Sequence, residues 1–118
     1  MSRIYHIATR EDWEHAQADG DYTRSSVDKT LQQEGFIHAS QRSQVTRTAN
    51  KFYRDVPGDL LVLVIDTGLL RSEVRYEDVP GAELPFPHIY GPLNVDAVVE
   101  TRPLAAKPDG TFVFTAEP

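Results

Sequence analysis

The sequence predicts an α+β domain built on a mainly antiparallel, split sheet, with its helices toward the N-terminal half. Three observations predict it. Helical spacing of apolar residues is confined to the stretch before residue 54. The run Leu60-Leu61-Val62-Leu63-Val64-Ile65 has no polar alternation, so a strand there must be covered on both faces. Beyond it, short two-residue alternation is punctuated by proline and glycine turns, the pattern of successive antiparallel strands. The expectation is one domain over residues 1–118.

In order, Arg3 to Ala8 reads as a first strand, with Ile4, His6 and Ala8 on one face and Tyr5 and Ile7 on the other. Thr9 is placed to cap a helix from Arg10 to about Ala18, with Asp12 in the position of a capping-box partner, Trp13 inward with Ala16 or Gln17 near it, and Gly20 as the stop. A polar loop from Asp21 to Ser26 follows. Ser25 or Ser26 would then cap a second helix from Val27 to Gln33, because Val27 and Leu31 stand four apart.

Phe36 and Ile37 read as a short buried strand. Ser40 has the position of an N-cap for the strongest helix, Gln41 to Tyr53, whose stripe is Val45, Ala49 and Phe52. The strand Leu60–Ile65 comes next, and then Ser72 to Glu77, with Val74 and Tyr76 opposite Glu73, Arg75 and Glu77. Asp78 to Pro87 is a proline-stiffened loop leading into an extended His88-Ile89-Tyr90. The spacing of Val95, Ala97 and Val99 predicts a strand from Val95 to Thr101. It would pair antiparallel with Thr111–Thr115 across a Pro-Asp-Gly turn.

Composition narrows the function classes. With 40% hydrophobic and 25% charged residues the chain is of ordinary globular make-up. A net charge of −6 argues against a broad nucleic-acid surface. No apolar run is long enough for a membrane helix, and no basic start with an apolar core marks a signal peptide. Cysteine is absent, which removes disulfides, thiol catalysis and thiolate metal sites. Cytoplasmic location is the expectation.

Two distant stretches carry the polar chemistry: Glu34-Gly35-Phe36-Ile37-His38-Ala39-Ser40 and Phe86-Pro87-His88-Ile89-Tyr90-Gly91-Pro92-Leu93. Polar side chains set directly beside core segments cost stability unless they meet partners or a ligand. The expectation is therefore that His38, Ser40 and His88 or Tyr90 line one pocket, with Glu77 or His6 at its rim. A zinc site from His6, His38, His88 and Glu77 is the lesser alternative, since no short ligand spacing joins them. No metal is expected.

These stretches, together with Tyr5-His6, the Ser26 region, Gln44-Val45, Ala49 to Tyr53, Asp59 to Leu61 and Arg75-Tyr76-Glu77, resemble the bacterial family called domain of unknown function 952 (DUF952). The resemblance runs nearly end to end. It implies a fold like that of the ADP-ribosyltransferases, a split antiparallel sheet that bends NAD in a cleft. It also implies that His38 and Ser40 hold ribose hydroxyls, that Tyr90 or Tyr53 stacks on a flat ring, and that Glu77 stabilises positive charge at the sugar. His38 and Glu77 would then be catalytic, and His6, Ser26, Ser40, Gln44, Tyr53, His88 and Tyr90 would bind ligand. NAD is the candidate substrate of an ADP-ribosyltransferase-like enzyme. The alternative is a non-catalytic module that binds a small molecule or nucleotide.

Overall fold

The structure, a computed structural model, describes residues 2–115. Its centre is β6 (Leu60–Asp66), flanked antiparallel by β1 (Arg3–Thr9) and β10 (Val98–Leu104). Side chains alternate along β6 between two cores. Leu61, Leu63 and Ile65 join Ile4, Ala8, Trp13 and Ala16 on one side. Leu60, Val62 and Val64 join Tyr5, Ile7, Val45, Ala49 and Tyr53 on the other. Both faces are covered, so the strand carries no polar alternation.

The first helix, α1 (Arg10–Asp19), is capped by the Thr9 hydroxyl, which accepts from the Asp12 N–H, and closes at Gly20 in the left-handed region. It buries Trp13 as expected, and of Ala16 and Gln17 it is Ala16 that turns inward with it. The second predicted helix is corrected. Residues 24–30 form a small hairpin of β3 (Arg24–Ser26) and β4 (Lys29–Thr30), and α2 is one turn, Leu31–Glu34. Its cap is Thr30, which exchanges bonds with Gln33, not Ser25 or Ser26. Val27 and Leu31 pack against opposite cores, so their four-residue spacing is not a helical stripe.

A second sheet has β8 (Phe86–Tyr90) at its centre, with β5 (Ile37–His38) and β7 (Glu73–Glu77) on either side, all antiparallel. A bridge between Tyr5 and Ser40 joins the two sheets, each backbone N–H donating to the other's carbonyl at 2.9 and 2.7 Å. One further ribbon pairs β2 (Asp21–Tyr22) with β9 (Leu93–Asn94).

The strongest helical segment opens with a 3-10 turn, Arg42–Gln44, before α3 (Val45–Phe52). Ser40 is not its cap; Gln44 Oε1 accepts instead from the Gln41 N–H. Phe52 is also corrected, being 61% exposed. The chain leaves the helix at Tyr53, whose ring turns under α3 and completes the stripe begun by Val45 and Ala49.

At the C-terminal side, residues 95–97 form a 3-10 turn, and β10 begins only at Val98. A register shift between Val98 and Glu100 leaves Val99 unpaired and exposed, which breaks the predicted alternation. Residues 111–115 do not pair with β10. They lie extended on α3, where Asn50 exchanges two bonds with the backbone of Phe112 at 2.7 and 2.9 Å. Thr46 Oγ1 does the same for Phe114 at 2.9 and 3.4 Å. Helix side chains i and i+4 thus stand in for a partner strand, and Phe112 seals the core beneath.

Candidate functional site

The second sheet has two unlike faces. Because side chains alternate along a strand, Ile37, Val74 and Ile89 turn inward to the core around Trp13. The opposite face receives His38 from β5, with Phe36 just before it, and Phe86, His88 and Tyr90 from β8. From β7 it receives Glu73, Arg75 and Glu77. Ile37 and Ile89 are fully buried, and they anchor the strands that carry these polar groups.

The face centres on one carboxylate oxygen. Glu77 Oε1 accepts from the Tyr90 hydroxyl at 2.6 Å and from His88 Nδ1 at 2.6 Å. The Tyr90 bond, then the His88 bond, hold the Glu77 carboxyl below its usual range, while the same contact with Glu77 pushes the Tyr90 phenol up. Phe36 stacks on the His88 imidazole, centroids 4.2 Å apart and 24° from parallel. His38 meets the same imidazole edge-on at 5.4 Å. Burial, then the neighbouring His88, lower the His38 pKa, against the pull of Glu34 four residues earlier. Arg75 lies 4.5 Å over the Tyr90 ring and pairs with Glu73 at 3.2 Å.

Of the residues singled out in sequence, the structure brings together His38, Glu77, His88 and Tyr90. The others are engaged elsewhere. His6 is 2% exposed; its Nδ1 donates to the His38 carbonyl, and its Nε2 accepts from the Tyr22 hydroxyl at 2.9 Å. Burial lowers its pKa to about 4, so the ring is neutral in the fold. His6 therefore braces the strand that presents His38 from behind.

Tyr53 is a core residue, its phenol pushed up to about 12 by burial and by Asp28. Ser26 donates to Asp28 in the β3–β4 turn. Ser40 is buried, with its hydroxyl 3.4 Å from that of Thr48. Gln44 ties the start of α3 to the carbonyls of Leu84 and Pro85. Among the described residues no three His, Asp or Glu side chains gather as a metal ion would require.

Phe36 and Arg75 are the members that the sequence reading did not assign to the site. Phe36 was legible: it stands two residues before His38 and so shares its face. Arg75 reaches Tyr90 across the sheet, which no local pattern signals. A separate cleft of about 610 Å³ opens where α1 begins, between Asp12, Arg24, Val27 and Asp59. Two ion pairs cross it, Arg10–Asp59 at 3.4 Å and Arg24–Asp12 at 3.6 Å, and Glu11 and Glu14 also line it.

Fold and site together define a small α+β protein whose two antiparallel sheets share a seam and whose second sheet exposes a carboxylate–imidazole–phenol group. The chain belongs to the DUF952 family, described as protein of unknown function, whose pattern matches residues 7–101. The fold is similar to the crystal structure of protein CC0527 from Caulobacter crescentus, with a TM-score of 0.81 and 31% identity over 95% of this chain and 94% of that one. The solution NMR structure of the same protein gives a TM-score of 0.74 at 32% identity, over 94% and 91% of the two chains. No curated protein matches the sequence. Among the described residues no helix is long and apolar enough to cross a membrane.

Proposed function

We propose that the outer face of the β5–β8–β7 sheet binds a ribosylated nucleotide, NAD or a related ADP-ribosyl compound, and acts on it as an ADP-ribosyltransferase-like enzyme. One observation carries this reading: an accessible carboxylate, held ionised by a phenol and an imidazole, is set among the rings of Phe36, His38, His88 and Tyr90. Breaking a nicotinamide–ribose bond builds positive charge on the sugar, as glycoside cleavage does, and a fixed carboxylate stabilises that charge. Flat rings give the base or nicotinamide a surface to lie against. His38, the most open imidazole of the group, is placed to bond ribose hydroxyls. Of the two tyrosines considered for stacking, Tyr90 is the one on this face.

A non-catalytic nucleotide-binding module is the second reading. It is favoured by Arg75, whose guanidinium already covers one side of the Tyr90 ring. Calorimetry of wild type and His38→Ala with NAD, ADP-ribose and nicotinamide tests both, followed by an assay for free nicotinamide. Binding by wild type, weakened at least tenfold in His38→Ala, with nicotinamide released, supports the enzyme. Binding without release leaves the module. No binding of any of the three at millimolar concentration removes the NAD and ADP-ribosyl reading and leaves a module for another small molecule.

A further inference from the structure

We infer that His88, oriented by Glu77, is the proton acceptor of this site, and that the acceptor molecule it activates is water or an alcohol. The inference rests on the reading that the face binds a ribosylated nucleotide, and it assigns within that reading a role for which Glu77 is poorly suited. Glu77 Oε1 already receives two hydrogen bonds of 2.6 Å, from Tyr90 and from His88 Nδ1. A carboxylate so engaged, and held below its usual pKa by those bonds, is a poor base. It is well suited to orient an imidazole. A hydrogen on Nδ1 that faces a carboxylate leaves the lone pair on Nε2 of the neutral ring, the arrangement by which an acidic residue readies a histidine for proton abstraction.

The surroundings fit that role. Nε2 makes no hydrogen bond with the described residues, and it is not one of their buried unpartnered atoms, which are Arg24 Nε and Ser25 Oγ. It is therefore not sealed within the fold, although His88 as a whole is 6% exposed and lies beneath Phe36. Phe36 stacked on one face of the ring and His38 standing across it fix the plane of the imidazole. Stacking without a hydrogen bond to Nε2 would be a wasteful way to hold a purely structural histidine. His6 shows the contrast, with both of its nitrogens satisfied inside the fold.

The step balances with water as co-reactant. An O–H proton of water passes to His88 Nε2 as the oxygen bonds to C1′ of the ribose. The bond from C1′ to the nicotinamide nitrogen breaks, and its electron pair neutralises the pyridinium, which leaves as nicotinamide. The proton on His88 is then lost to solvent. With an alcohol in place of water the same step transfers the ADP-ribosyl group. Glu77 stays ionised throughout and faces both the imidazolium and the charge on the sugar.

The test uses the full chain with NAD, comparing wild type, His88→Gln and Glu77→Gln. Nicotinamide release per NAD bound should fall about 10²–10⁴-fold in His88→Gln, the usual span for losing a general base, measured at NAD concentrations that saturate each variant. Glu77→Gln, which leaves the imidazole in place, should lose at least tenfold and no longer hold the His88 hydrogen on Nδ1. Nitrogen-15 spectra of wild type at pH 8 should place the His88 hydrogen on Nδ1. Release undiminished in His88→Gln, or a hydrogen found on Nε2, overturns the inference while NAD binding stands. Binding without release overturns it as well and leaves a binding module. Absence of NAD binding overturns the nucleotide reading on which it rests.

Discussion

The two three-stranded sheets share one strand count and put it to opposite uses, the first with three seven-residue strands and the second with shorter ones. In β1–β6–β10 the central strand is covered on both faces, and every residue from Leu60 to Ile65 is buried. In β5–β8–β7 the inner face is covered by Ile37, Ile89 and Val74, and the outer face carries imidazoles, carboxylates and rings that cover only its centre, where Phe36 lies over His88. Stability therefore resides chiefly in the first sheet. The second is anchored through one apolar face and is free to hold polar groups on the other, joined to the first through Tyr5 and Ser40. A protein this small cannot spend both faces of both sheets on its core and still present chemistry to solvent.

Replacing Leu63 by Ala should show the contrast most strongly. Leu63 is fully buried in the centre of β6, and its truncation should cost about 2–5 kcal/mol in urea unfolding. A cost below 1 kcal/mol would mean that the double-sided burial is not where stability lies.

The seam between the sheets is tested by acid. The folded pKa of His6 is lowered from 6.5 to about 4, so the folded state binds fewer protons than the unfolded state between those values. Its contribution is fully present above pH 6.5 and is lost as pH falls from 6.5 through about 4, to a total of roughly 3 kcal/mol at 1.36 kcal/mol per unit. Unfolding midpoints at pH 7.5, 5.5 and 4.5 should fall accordingly, and His6→Gln, which cannot titrate, should flatten that slope. An unchanged slope in the variant would separate His6 from the acid sensitivity.

On the bare face the expected effect is smallest. His38→Ala should change stability by no more than about 0.5 kcal/mol, because the ring is half exposed and makes only edge contacts and a 4.0 Å approach to Glu34. A loss above 2 kcal/mol would show that the outer face contributes to folding as the core does, and would erase the division between the sheets.

Much of this was legible in the sequence. Leu60–Ile65 could be only a central strand, and the Thr9 to Gly20 signals placed α1 within a residue. Polar residues set beside core segments in two distant stretches pointed to His38 with His88 or Tyr90, and the folded chain does bring these together with Glu77, though not with Ser40. What failed did so where tertiary contact overrode a short pattern. Val27 and Leu31 have helical spacing yet serve different cores, and Phe52 lost its inward place to Tyr53. Residues 111–115 alternate like a strand, and the Asn50 and Thr46 side chains supply the bonds a strand would have given. His6 looked like a ligand-facing residue because nothing local announced Tyr22 or the His38 carbonyl as its partners.

The order β1–β6–β10 also bears on how the chain is made. Synthesis runs from the N-terminal side, so β6 emerges with β1 ready to pair and its other edge open. That edge stays uncovered until residues 98–104 follow, and the apolar flank beneath α3 waits longer still for Phe112. A growing chain thus carries an unpaired, strongly apolar strand edge for much of its synthesis, the kind of surface that invites aggregation or a chaperone. Because its central strand takes its neighbours from distant parts of the sequence, the sheet closes late and as a unit, in the slower class of folding set by non-local contacts.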